Sequence, residues 1–134
     1  ALKRVGRLGD GWLVSQATPT EINADKNIIF ATAIQHRRTF DTNHIGTMLG
    51  FHIAGSVRKA STVAENLTFR QRPEVHYSNY TALGPPERII KLMLDYQKAG
   101  ASKFVVRPIC PPGQVEEQLE LFGREILPFF HISN

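Results

Sequence analysis

Residues 11–21 read GWLVSQATPTE. Their first part, Gly11 to Ser15 (GWLVS), is a short apolar run between a Gly-Asp-Gly turn and a Thr-Pro stop, the pattern of a buried strand. The second part starts a helix. Thr18, Pro19, Thr20 and Glu21 form a capping box, with Thr18 accepting from the backbone at Glu21 and Pro19 preset for the first helical position. Ile22, Ile29 and Ala33, backed by Phe30 and Ile34, then carry one apolar face through to about Arg38. A strand that passes directly into an amphipathic helix is half of a parallel crossover unit.

The alternation continues downstream. Ile45 to Ala54 is a strand with unequal faces: Ile45, Thr47, Leu49, Phe51 and Ile53 are bulky, while Gly46, Met48, Gly50, His52 and Ala54 are sparse. Two glycines on one face mean close approach of another backbone, a bulge, or room for a ligand, against plain dense packing. Ser56 to about Asn66 predicts a short helix, and the polar, Pro-containing stretch from Thr68 to Gly84 shows no readable element. Pro85 and Pro86 open a helix with Ile89, Met93 and Tyr96 on its apolar stripe, ended by Gly100. Lys103 to Arg107 (KFVVR) is a third strand, stopped by Pro108, and Pro111, Pro112 and Gly113 lead into a last helix with Val115, Leu119, Phe122 and Ile126 on one face. Upstream, Leu2, Val5 and Leu8 have helical spacing up to Gly9, so Ala1 to Leu8 is a helix.

Strands separated by helices predict an α/β fold with a parallel sheet, in one domain of 134 residues. Three parallel strands cannot close a barrel, and alone they leave two open edges and an uncovered face. That, and a start inside a helix with no cap before it, lead to the expectation of a piece of a longer protein. Cys110 is the single cysteine, so no intrachain disulfide is possible, and with no charged-then-apolar leader the sequence predicts a cytoplasmic, reducing setting. The longest apolar stretch, Ile28 to Ile34, is far below the roughly 18 residues of a membrane span. The sixteen basic residues are dispersed and give a net charge of +4 without a recognition motif for nucleic acid, so neither a membrane nor nucleic acid is expected as a partner.

Two stretches carry a family resemblance: RVGRLGDGWLVSQATPTEI, Arg4 to Ile22, and GPPERIIKLMLDYQKAGASKFVVRPICPPGQVEEQLELFGREILP, Gly84 to Pro128. Both resemble the bacterial-luciferase-like monooxygenases, flavin- or deazaflavin-dependent oxidoreductases. In that family an Arg-x-Gly/Ala-Arg-x-Gly/Ala-Asp-Gly-Trp pattern precedes a late barrel strand, as Arg4 to Trp12 does here. The last helix pair there brackets a Phe-Val-x-Arg strand, matched by Phe104 to Arg107, and a Glu-rich helix ending in Leu-Pro. The resemblance implies the C-terminal part of a (β/α)8 TIM barrel, about three βα units, with about five strands elsewhere. It also implies FMN or a deazaflavin coenzyme in the parent, a small-molecule substrate, and no tight cofactor binding by this piece.

Barrel enzymes work from the C-terminal ends of their strands, which here are Ser15 to Thr18, Gly55 to Arg58 and Arg107 to Cys110. Arg107 is the candidate clamp for a phosphate, sulfonate or carboxylate, against the alternative of a rim salt bridge. His52 is the candidate for proton transfer or a hydrogen bond to a flavin ring, against a satisfied core histidine. Trp12 and Ser15 are candidates for the cofactor pocket, although a bulky residue low on a barrel strand also suits the core. Asp10 suits a turn, and Cys110 lacks the neighbours of an activated thiol. His36, His44, His76 and His131 have no metal-ligand spacing, so no metal is expected. Gly6 to Gly11 precedes a strand instead of following one, so its glycine spacing does not make a phosphate loop. Two functions compete: part of an oxidoreductase, or a non-catalytic flavin-binding or self-assembling barrel piece that forms homo-oligomers.

Overall fold

The computed structural model describes residues 1–67 and 71–130. In chain order the elements are α1 (Leu2–Leu8), β1 (Trp12–Ser15), α2 (Pro19–Gln35), β2 (Ile45–Ile53), α3 (Val57–Glu65), β3 (Thr81–Gly84), α4 (Pro86–Ala99), β4 (Lys103–Pro108) and α5 (Val115–Glu125), with short 3-10 turns between some of them. The three strands expected from the sequence are present. A fourth, β3, lies in the stretch before Pro85 where no element was readable; His131 lies outside the described residues.

β2 is the organising strand. β1 pairs with its first half in parallel, Trp12 opposite Ile45 and Ser15 opposite Met48, and β3 pairs with its second half, Gly50 opposite Thr81 and Ile53 opposite Gly84. β4 takes the other edge, since Ser102 N–H donates to Ile45 O at 2.8 Å and Ile109 N–H donates to Phe51 O at 2.7 Å. Those bonds ascend together, so β4 is parallel as well. By contact density the chain divides into two compact units, Ala1–Leu49 with Leu94–Val105, and Gly50–Met93 with Val106–Asn134.

In the first unit α2 buries Ile22, Ile29 and Ala33 as its spacing predicted, and Ile45, Thr47 and Leu49 are buried on the bulky face of β2. α1 packs closely on α2 because Gly6 has no side chain: a Cβ there would lie 2.5 Å from Ile29 O. α2 ends at Gln35, short of Arg38, where the sequence reading carried its apolar face. The cause is a turn with Arg37 at φ 55°, which sends the Arg38 guanidinium back to α1. There it donates to Gly6 O at 3.1 Å, Gly9 O at 3.0 Å and Asp10 Oδ1 at 2.9 Å, satisfying carbonyls that the helix end leaves open.

In the second unit Phe51 stacks tilted on Phe122, ring centroids 4.7 Å apart, and Ile53 is buried beside it. Ala60, Ala64, Tyr77, Tyr80, Leu83 and Ile109 make a further core cluster under α3. The buried stripe of α5 is Gln118, Phe122 and Ile126, not the expected Val115, Leu119, Phe122 and Ile126. Val115 and Leu119 are exposed, because the helix turns a glutamine toward β2 where that residue finds backbone partners.

Candidate functional site

Ser15, His52 and Arg107 stand at or near the C-terminal ends of their strands, and Trp12 at the start of β1. In the first unit β1 ends in an exposed Ser15, followed by Gln16 at φ 58° and a buried Ala17. A non-glycine residue in that region costs roughly 1 kcal/mol or more and persists only where its surroundings hold it. Here two contacts do so. The buried Tyr96 hydroxyl donates to Ala17 O at 2.7 Å, and Thr18 and Glu21 exchange hydrogen bonds, Thr18 N–H to Glu21 Oε2 at 2.8 Å and Glu21 N–H to Thr18 Oγ1 at 3.2 Å. Burial pushes the Tyr96 pKa upward, which keeps it a donor.

Trp12 and Ser15 do not share a wall. Residues an odd number apart on a strand point to opposite faces. Trp12 is half-buried, whereas Ser15 and the exposed Leu13 are on the face that contains Gly46. The space over that glycine is filled: a Cβ would lie 3.0 Å from Leu13 Cδ1 and 3.6 Å from Lys103 Cβ.

In the second unit the same filling occurs at Gly50, where a Cβ would meet Ile109 Cδ1 at 2.6 Å. Close packing thus explains both glycines of β2. His52, two residues on, is 4% exposed, and its Nδ1 has no hydrogen-bond partner. Burial lowers its pKa, opposed by a backbone hydrogen bond with Ile109 and by the charge of Glu117, so the ring is neutral at neutral pH. Cys110 follows Ile109, and burial together with Glu117 raises its pKa, the opposite of an activated thiolate. Arg107 is exposed on β4, and no ion pair joins it to another of the described residues. Among the described residues no three His, Cys, Asp or Glu side chains gather as a metal site. Asp10, read as a turn residue, serves as the partner of Arg38.

Sequence reading missed Gln118. Its Nε2 donates to Ile53 O at 2.9 Å and its Oε1 accepts from Ile53 N–H at 2.7 Å. The available signal was its spacing, one turn before Phe122 and two before Ile126.

A parallel sheet whose strands each lead into a helix is the βα repeat from which α/β folds, barrels among them, are built. No family model matches the sequence, and no curated protein matches it. Solved structures do. An F420-dependent secondary alcohol dehydrogenase in complex with an F420-acetone adduct superposes with a TM-score of 0.73 at 15% identity, over 94% of this chain and 44% of its own. The coenzyme F420-dependent tetrahydromethanopterin reductase from Methanopyrus kandleri gives 0.70 at 20% identity, over 97% and 48%. The oxygenating constituent of 3,6-diketocamphane monooxygenase from Pseudomonas putida, in complex with FMN, gives 0.72 at 12% identity, over 99% and 46%. The chain therefore has the α/β fold of these luciferase-like barrel enzymes, over part of their length. It spans less than half the length of these structures.

Proposed function

We propose that this chain is the C-terminal part of a flavin- or deazaflavin-dependent oxidoreductase of the luciferase-like type, acting on a small organic substrate. The observation that carries the reading is the near-complete superposition of the chain on an F420-dependent dehydrogenase and an FMN-bound monooxygenase. The bound cofactor supplies hydride transfer or oxygen activation, and the protein supplies binding and orientation. Arg107 fits an anionic group, because its guanidinium is exposed, without an ion pair among the described residues, and placed near the C-terminal end of its strand. We assign it to the phosphate of the cofactor or to an acidic substrate group; of the two pocket candidates in the first unit, Ser15, at the end of β1, is the one whose strand position suits a ligand. His52 is assigned to proton transfer as the accepting base, since its ring is neutral and its Nδ1 has no partner among the described residues.

Replacing Arg107 by Ala in the enzyme that carries the whole barrel tests this. Losing a charge-assisted contact of about 1.5–3 kcal/mol raises the relevant Kd or KM roughly tenfold to more than a hundredfold, with the melting temperature unchanged. Lys restores only part, since a point charge does not reproduce the bidentate fork. Normal binding and turnover with a lowered melting temperature would make Arg107 a structural residue.

A second reading, a non-catalytic flavin-binding or self-assembling barrel piece of cytoplasmic location, is favoured by one feature of the first unit. Leu13, Met48 and Val105 are large apolar side chains exposed on the strands.

A further inference from the structure

Gln118 is a polar residue on an apolar stripe. It shares the buried face of α5 with Phe122 and Ile126, and both of its hydrogen bonds go to a single residue, Ile53. Accepting from an N–H and donating to the C=O of one residue is what a neighbouring strand does across a ladder. Among the described residues no strand is in that place. β4 accompanies β2 as far as the bond from Ile109 N–H to Phe51 O, and the chain then turns away through Pro111 into the turn Pro112–Gln114. Without Gln118 the two backbone groups of the buried Ile53 would lose their partners.

We propose that Gln118 is a positioning residue for His52: by holding the peptide between His52 and Ile53, it fixes the direction in which the imidazole leaves the end of β2. The proposal rests on the reading of His52 as a ligand-facing group. The Ile53 N–H belongs to the planar peptide that follows His52, so fixing it fixes the last backbone torsion of His52. The same anchor seats the first turn of α5, and with it Glu117, the charged group that acts on His52. Cys110, the other titratable group there, is kept neutral by burial. Glutamine suits the task where glutamate does not, because a carboxylate has no donor for the Ile53 carbonyl.

NMR of the 134-residue chain without any ligand tests this. In the unaltered protein one Gln118 Nε2 proton exchanges slowly and is distinct from the other. In Gln118→Glu and Gln118→Met the Ile53 amide exchanges roughly tenfold to a hundredfold faster. The His52 ring resonances move with it, and their titration midpoint rises toward the ordinary histidine value as water reaches the ring. If Ile53 loses protection while the His52 resonances and midpoint stay in place, Gln118 is a strut and the proposal fails. Should neither variant fold, the unaltered chain decides: a slow, distinct Gln118 proton whose resonance shifts as the His52 ring titrates supports the proposal, and fast-exchanging protons or ones indifferent to that titration overturn it. No readout involves a cofactor, so a failure to bind flavin would leave this result standing, and the converse also holds.

Discussion

His52 is the buried histidine among the described ones, and that burial has a consequence apart from any ligand. Its pKa in the folded chain is lower than in the unfolded chain, where it is about 6.5. Below that value the unfolded state takes up a proton that the folded state refuses, so stability present above about pH 6.5 is lost as pH falls through the folded value. Urea unfolding between pH 7 and pH 5 should show a declining midpoint, and His52→Gln should flatten the decline. An unchanged slope in the variant would place the titrating group elsewhere. The sequence showed that His52 stands on the sparse face of its strand, and it left ligand contact and core burial open. The burial itself was not legible, because Ile109, whose backbone hydrogen-bonds with the ring, comes from just beyond β4, more than fifty residues away. No local pattern carries that information.

At the scale of elements, legibility follows how local the causes are. α2 was readable from its first residue because Thr18 and Glu21 satisfy each other across three positions. Thr18→Ala removes an N-cap and should lower stability by about 1 kcal/mol, measured by chemical denaturation. The effect should shrink if Ser replaces Thr instead, since the hydroxyl is retained. A loss below a few tenths of a kcal/mol would mean that Pro19 and tertiary packing alone start the helix. The end of α2 was misread because it depends on Arg38 reaching α1, a contact across 29 to 32 residues. β3 was missed because its four residues, Thr81–Gly84, are buried on both faces and so show no alternation. The stripe of α5 was shifted because the sequence reading placed only apolar residues inside, whereas a glutamine with two backbone partners is as much at home there as a leucine.

For the whole chain, the question is what an incomplete barrel does with surfaces that a closed one buries. In a complete barrel the inner faces of the strands fill one another's space, and every strand has two neighbours. Among the described residues β1 and β4 each pair with β2 alone. In the first unit Leu13 is 56% exposed, Met48 42% and Val105 46%, and parallel strands are rarely open to water on either face. An open parallel edge beside exposed apolar side chains favours association. The 134-residue chain should therefore form dimers or larger species whose mass rises with concentration in sedimentation experiments. Met48→Glu, which places a charge among those side chains, should shift the population toward monomer without lowering the content of helix and strand. Such species should bind FMN weakly, because a pocket must enclose most of its ligand and four strands build only part of a barrel mouth. A cooperatively unfolding monomer that binds FMN tightly, one to one, would show that these strands make a complete site without the rest of the barrel, and would count against the partial-barrel account of how the chain functions.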